Sequence, residues 1–255
     1  MFTRHLALSA HQWARCFNCG TAVALLRITP TERTHTAPLD IADTVTCPGC
    51  GIDIPAVAEE TRIFMSMLDA IYQRRSVRSY TTEPVDRDTV QRLLDAAVRA
   101  PSARNTQPWA FAIVQNAQRL RRYAERTKRL YLAEPPPAAL ANIPRTVLRH
   151  FRDLFASPAY DVFHGAGTLV VIYAVAAEGV PDCYLAAENL MLTACAMGLG
   201  TCPIGLARPC LEEPDIRAEL GVPAGMVVAL PIVVGVPAAD SPPVDRHPAR
   251  VISWS

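Results

Sequence analysis

The stretch CYLAAENLMLTACAMGL at 183–199 has Glu188, Asn189 and Thr193 as its only polar side chains. Wound as a helix it is apolar nearly all round, so it must be covered on most sides by a core or by a second subunit. Two further apolar runs bracket it, TLVVIYAVAA at 168–177 and MVVALPIVVGVP at 226–237. The first is about half the ~20 residues that a membrane-spanning helix needs, and both read as buried strands. Pro231 inside the second predicts an edge position or a break, because proline cannot donate to a ladder. A wrapped helix between buried strands demands a sizeable interior. At 255 residues, half of them hydrophobic, the chain has room for one such core, or for a core plus a small appendage.

Elsewhere the periodicity is clearest in RDTVQRLLDAAVRA. There Val90, Leu93, Leu94, Ala97 and Val98 fall at helical spacing, Asp86 is placed to cap, and Pro101 stops the helix. AVAEETRIFMSMLDAIYQRR has the same spacing at Ile63, Met67, Ala70 and Ile71, and delivers the chain into RRSVRSY. WAFAIVQ at 109–115 is a short strand. Residues 116–160, rich first in arginine and then in proline, are a candidate lid. Strands alternate with helices and no repeat is present, which points to an α/β or α+β body over 61–255. Residues 1–60 lack long periodic runs and read as a separate small module.

Basic and acidic residues nearly balance, at a net charge of +1, so no general nucleic-acid binding is expected. No membrane span and no signal peptide are read, which makes a cytoplasmic location the expectation. The eight cysteines are then expected to be reduced or metal-bound. Four of them form two Cys-x-x-Cys-Gly turns, Cys16 and Cys19 in CFNCG and Cys47 and Cys50 in CPGCG. Two such turns supply the four thiolates of a tetrahedral site, so structural zinc leads. An iron site of rubredoxin type and a remnant without metal are the alternatives. Cys183, Cys195, Cys202 and Cys210 fit no ligand spacing and read as small buried hydrophobes.

The arginines of RRSVRSY need a different account. Arg74, Ser76 and Arg78 alternate, so an extended backbone can turn them to one side, where guanidinium forks and a hydroxyl suit a phosphate. A solvated basic loop is the other reading of these residues alone. The chain has no GxxxxGK[ST], and HGAGT precedes a strand, so a nicotinamide cofactor held in a Rossmann domain is not expected. No Ser-His-Asp, paired-carboxylate or Cys-His constellation stands out. His164 and Trp109 read as structural.

The order RRSVRSY, amphipathic helix, APSARNTQPW, LAAENLMLTACAMGLGTCPIG, PIVVGVP resembles the nitroreductase family of FMN-dependent oxidoreductases, over roughly residues 65–255. The resemblance implies an α+β fold with a mixed central sheet flanked by helices, and a homodimer. It implies that Arg74, Arg75, Ser76 and Arg78 hold the FMN phosphate and ribityl chain. It places Pro101, Ser102, Ala103 and Asn105 on a loop that contacts the flavin ring, often from the opposite subunit. Ile204 and Gly205, preceded by Pro203, match the segment whose backbone amide faces flavin N5, and Arg246, or Arg250 after a short gap, matches a phosphate-binding basic residue. The implied activity carries electrons from NAD(P)H through FMN to a small organic acceptor such as a nitroaromatic or quinone. A flavin-binding sensor or interaction protein that carries a zinc ribbon and does not turn over is the alternative.

Overall fold

The computed structural model describes residues 67–254 except Asp240, and five short strands closer to the N-terminus. The chain divides into two units, Met1–Ser66 and Met67–Ser255. In the first, β1 (Ala7–Leu8), β2 (Trp13–Arg15) and β3 (Ala22–Ala24) form one antiparallel sheet. The strands β4 (Thr44–Thr46) and β5 (Asp53–Pro55) form an antiparallel pair. Cys16, Cys19, Cys47 and Cys50 lie outside the described residues.

The second unit opens with α1 (Met67–Gln73) and α2 (Arg87–Ala97). The α2 start is fixed as its sequence predicts: the Asp86 carboxylate accepts the Thr89 N–H at 2.8 Å. Its stripe of Val90, Leu93 and Ala97 is buried against α5 (Val180–Ala196), the helix that is apolar nearly all round. Leu93 and Leu190 are fully buried, each worth about 1.5–3 kcal/mol relative to exposure. Cover is incomplete, however: Tyr184 and Leu185 of α5 stay largely exposed.

The sheet comprises β6 (Trp109–Val114), β7 (Thr168–Ala174), β8 (Gly200–Pro203) and β9 (Val227–Gly235), in the order β6-β7-β9-β8. All three ladders are antiparallel, and the parallel component of the expected mixed sheet is confined to a bridge between Ser76 and Thr201. Alternate residues of β7 face two cores. Val170, Ile172 and Ala174 meet α2 and α5, whereas Leu169, Val171 and Tyr173 face the other layer.

That other layer contains α3 (Ala117–Leu132) and α4 (Arg145–Phe155), then α6 (Arg208–Leu211) and α7 (Pro214–Glu219). Residues 116–160 are therefore a wall of the core and not a detached lid. Tyr123, Tyr131 and Phe155 are fully buried within the same cluster as the sheet. Their aromatic side chains stand at helical intervals among arginines, and the charge density conceals the apolar stripe.

Pro231 also departs from expectation, since β9 is an inner strand between β7 and β8. The reason is local. β8 ends at Pro203, and the Pro231 carbonyl, on that side, accepts the Ile204 N–H at 2.8 Å. In a strand a residue's N and O point to the same edge, so the proline nitrogen faces the place where the neighbouring ladder has already stopped.

Candidate functional site

The RRSVR segment leaves α1 and runs beside β8. Val77 donates its N–H to the Thr201 carbonyl at 3.0 Å, and Ser76 forms the parallel bridge to the same residue. The approach is close enough to require glycine on the facing strand. A Cβ at Gly200 would lie 2.7 Å from a Val77 methyl. Val77 is buried and its carbonyl accepts the Tyr80 hydroxyl at 2.7 Å. With Val77 anchored inward, Ser76 and Arg78 on either side of it turn outward.

Outward, they meet a cavity of about 490 Å³ lined by Arg75, Ser76, Arg78, Ser79, Ser241 and Arg246 among others. That size lies within the usual range for a small-molecule site. Three arginines and no carboxylate are among the described lining residues. Among the described residues Arg78 has one weak bond, 3.4 Å to the Ser76 carbonyl, and Arg75 directs Nη1 to the carbonyls of Tyr72 and Arg74. Arg74 lines a smaller adjoining cavity of about 160 Å³ with Arg75 and Cys195, and stands 3.6 Å from Glu188. Arg246 lines the larger cavity and Arg250 does not.

Pro203, Ile204 and Gly205 continue from β8. Sequence matching treats Ile204 and Gly205 alike, but the structure separates them. The Ile204 N–H is engaged by Pro231, whereas Gly205 opens a 3-10 turn, Gly205–Ala207, and its N–H has no backbone acceptor among the described residues. Gly205 is exposed, with no atom within 4 Å of where a Cβ would stand.

The loop of Pro101, Ser102, Ala103 and Asn105 lies elsewhere. Its backbone is left-handed at three non-glycine residues, Arg104 (φ 52°), Asn105 (φ 57°) and Gln107 (φ 46°). Ser102 accepts the Gln107 N–H on its hydroxyl at 2.9 Å, and Asp182 at the start of α5 accepts the Ala103 N–H at 3.1 Å. Asp182 is thirteen residues from Cys195, which lines the smaller arginine cavity; on a helix this is about 20 Å. Within one chain the loop is therefore tied to the start of α5, whereas the arginines lie along its later part, from Glu188, which Arg74 approaches, to Cys195.

Sequence reasoning missed Asp182, Ser79 and Ser241. Only Asp182 left a signal, as the acidic residue in the first turn of α5 behind Pro181. The structural role expected of His164 fits its place. It follows the Asp161 turn with φ 57° and packs its ring edge-on to Tyr160. Burial, reinforced by the Arg78 charge, holds its imidazole below the ordinary range. Cys183, Cys202 and Cys210 are buried free thiols, Cys195 is half-buried, and Trp109 packs against the α2–α5 core.

The model of the Nitroreductase family matches residues 71–235. An NADH dehydrogenase of Thermus thermophilus is 28% identical over 209 residues, which cover 77% of this chain and 99% of that one. A 5,6-dimethylbenzimidazole synthase of Rhodospirillum rubrum is 30% identical over 189 residues, covering 70% and 86% of the two chains. A crystal structure of a nitroreductase with bound FMN from Bacteroides fragilis superposes with a TM-score of 0.60 at 26% identity. It covers 74% of this chain and is itself covered completely. With the family model matching well over half of its length, from the end of α1 to the end of β9, the chain belongs to the Nitroreductase family.

Proposed function

We propose that the chain is an FMN-dependent oxidoreductase that takes electrons from NAD(P)H and passes them to a small organic acceptor such as a nitroaromatic or quinone. The observation that carries this reading is the arginine cavity. Arg75, Arg78 and Arg246 line a space with no carboxylate among the described lining residues. Such a donor set suits a phosphate monoester, which takes charge-assisted and bidentate bonds from guanidinium groups. The residues fit the cofactor. Arg75, Ser76, Arg78 and Arg246 would hold its phosphate, with Arg74 adding charge from the adjoining cavity. Gly205 supplies a main-chain donor for the ring. Pro101, Ser102, Ala103 and Asn105 form the loop assigned to the ring. Bound FMN supplies the two-electron chemistry, which explains why no acid–base or nucleophilic constellation is needed.

The reading includes a homodimer in which each cofactor touches both chains. The separation along α5 between the loop, tied at Asp182, and the cavity that Cys195 lines favours a site completed by a second copy. So does the exposed apolar surface of Met67, Leu68, Ile71 and Tyr72 on α1, together with Tyr184 and Leu185 on α5. For the N-terminal unit we propose that Cys16, Cys19, Cys47 and Cys50 bind one zinc ion with a structural role. Support comes from the doubled Cys-x-x-Cys-Gly pattern, each copy falling between two strands that pair antiparallel.

The test is spectroscopic. The purified protein is expected to be yellow and to bleach anaerobically when NADH or NADPH is added, then to recover colour with a quinone or nitroaromatic. A yellow protein that neither nucleotide bleaches would replace the enzyme reading with that of a flavin-binding sensor.

A further inference from the structure

The loop at 101–107 concentrates backbone strain. Three of its residues, Arg104, Asn105 and Gln107, are left-handed without being glycine. Each such placement costs on the order of 1 kcal/mol or more, and a loop keeps it only when its surroundings enforce it. Most of what holds this loop is internal: Asn105 N–H to the Ser102 carbonyl at 2.9 Å, Thr106 N–H to the Ala103 carbonyl at 3.1 Å, and Gln107 N–H to the Ser102 hydroxyl. Internal bonds turn with the loop and do not orient it. Among the described residues, one side chain from outside bonds to it. Asp182, 79 positions along the chain, accepts the Ala103 N–H on Oδ2 at 3.1 Å.

We infer that Asp182 is a positioning residue, whose carboxylate ties the strained Arg104–Gln107 turn to the first turn of α5 and so sets the presentation of Ala103 and Asn105 to the flavin ring. This rests on the proposed flavin site, but the tie itself does not. α5 is a firm mount for it, because Cys183, Ala186 and Ala187, just beyond Asp182, are buried against the sheet. The acceptor needs an oxygen and not a charge, since an amide oxygen can take the same N–H.

The experiment compares Asp182→Ala and Asp182→Asn with the parent protein. Tryptic cleavage after Arg104, which is exposed on the turn, reads loop opening with no flavin present. FMN affinity, from quenching of flavin fluorescence, reads the consequence at the site. The bond is exposed, so water replaces it in part, and its loss corresponds to a factor of roughly two to ten; cleavage tracks the open population when reclosing is fast. Asp182→Ala should be cut several-fold faster after Arg104 and bind FMN several-fold more weakly, while Asp182→Asn stays within about twofold of the parent in both. A role confined to charge at the helix start gives the opposite pattern: both variants lose thermal stability alike and the cleavage rate after Arg104 is unmoved. That result overturns the inference, as does equal weakening of FMN binding in both variants. A parent protein that binds no FMN overturns the presentation to flavin, while faster cleavage in Asp182→Ala alone would still uphold the tie.

Discussion

Removal of the Arg78 guanidinium is the sharpest probe of the proposed cofactor site. Its side chain is exposed, and its one hydrogen bond within the described residues is the 3.4 Å contact to Ser76, too long to count for much in the fold. Arg78→Ala should therefore leave the melting temperature nearly unchanged, as exposed substitutions usually do. Binding is another matter. A hydrogen bond to a charged group is worth about 1.5–3 kcal/mol, which corresponds to roughly a ten- to hundred-and-fifty-fold rise in the Kd for FMN. Arg78→Lys keeps the charge and loses the planar fork, and is expected to fall between the two. The assay is fluorescence titration of the apoprotein with FMN, run beside a thermal melt. Unchanged affinity in Arg78→Ala would refute the assignment. So would a loss of affinity matched by a fall in stability, since that would make Arg78 part of the fold.

Gly200→Ala should cost about 1–3 kcal/mol of stability, because its Cβ would lie 2.7 Å from a stiff valine side chain at Val77. Pairing it with Val77→Ala should recover part of that loss, whereas additive losses in denaturant melts would mean that Val77 is not the obstruction. Sedimentation should show a dimer at working concentrations, and a flavin-loaded monomer would remove the shared site. Elemental analysis after expression with zinc and iron both available should give one zinc per chain, and Cys47→Ser should lose it without loss of flavin reduction. Stoichiometric iron would refute the zinc assignment, and absence of metal would make the four thiols a remnant.

The parts of this fold that local chemistry decides are legible in the sequence. Asp86 announces the start of α2, and the alternating apolar runs announce β7 and β9. What escaped depends on long-range pairing. The place of Pro231 within an inner strand follows from where β8 happens to stop, and nothing near residue 231 records that. The distinction between Ile204 and Gly205 has the same origin, as one peptide N–H is taken by a strand nearly thirty residues away. At 116–160 the charged residues that sit on the solvent side of α3 and α4 outnumber the aromatic ones that fill the core, so composition pointed away from a packed wall. Asp182 escaped because its partner, Ala103, is a backbone donor with no side-chain signature. The arginines were visible as a cluster, but that Arg75 and Arg78 share a cavity with the distant Arg246 is a fact of tertiary structure alone.

The early end of β8 bears on how such a site can change over generations. Because the donor proposed for the flavin ring belongs to the Gly205 peptide, nearly any codon at that position would still encode it; only proline deletes an N–H. The feature closest to the proposed electron chemistry is thus inherited with the backbone and shielded from mutational drift. Side chains around it carry no such obligation. A lineage can revise the walls that select an acceptor while its electron-handling element persists, so divergence of substrate within the family needs no reinvention of chemistry.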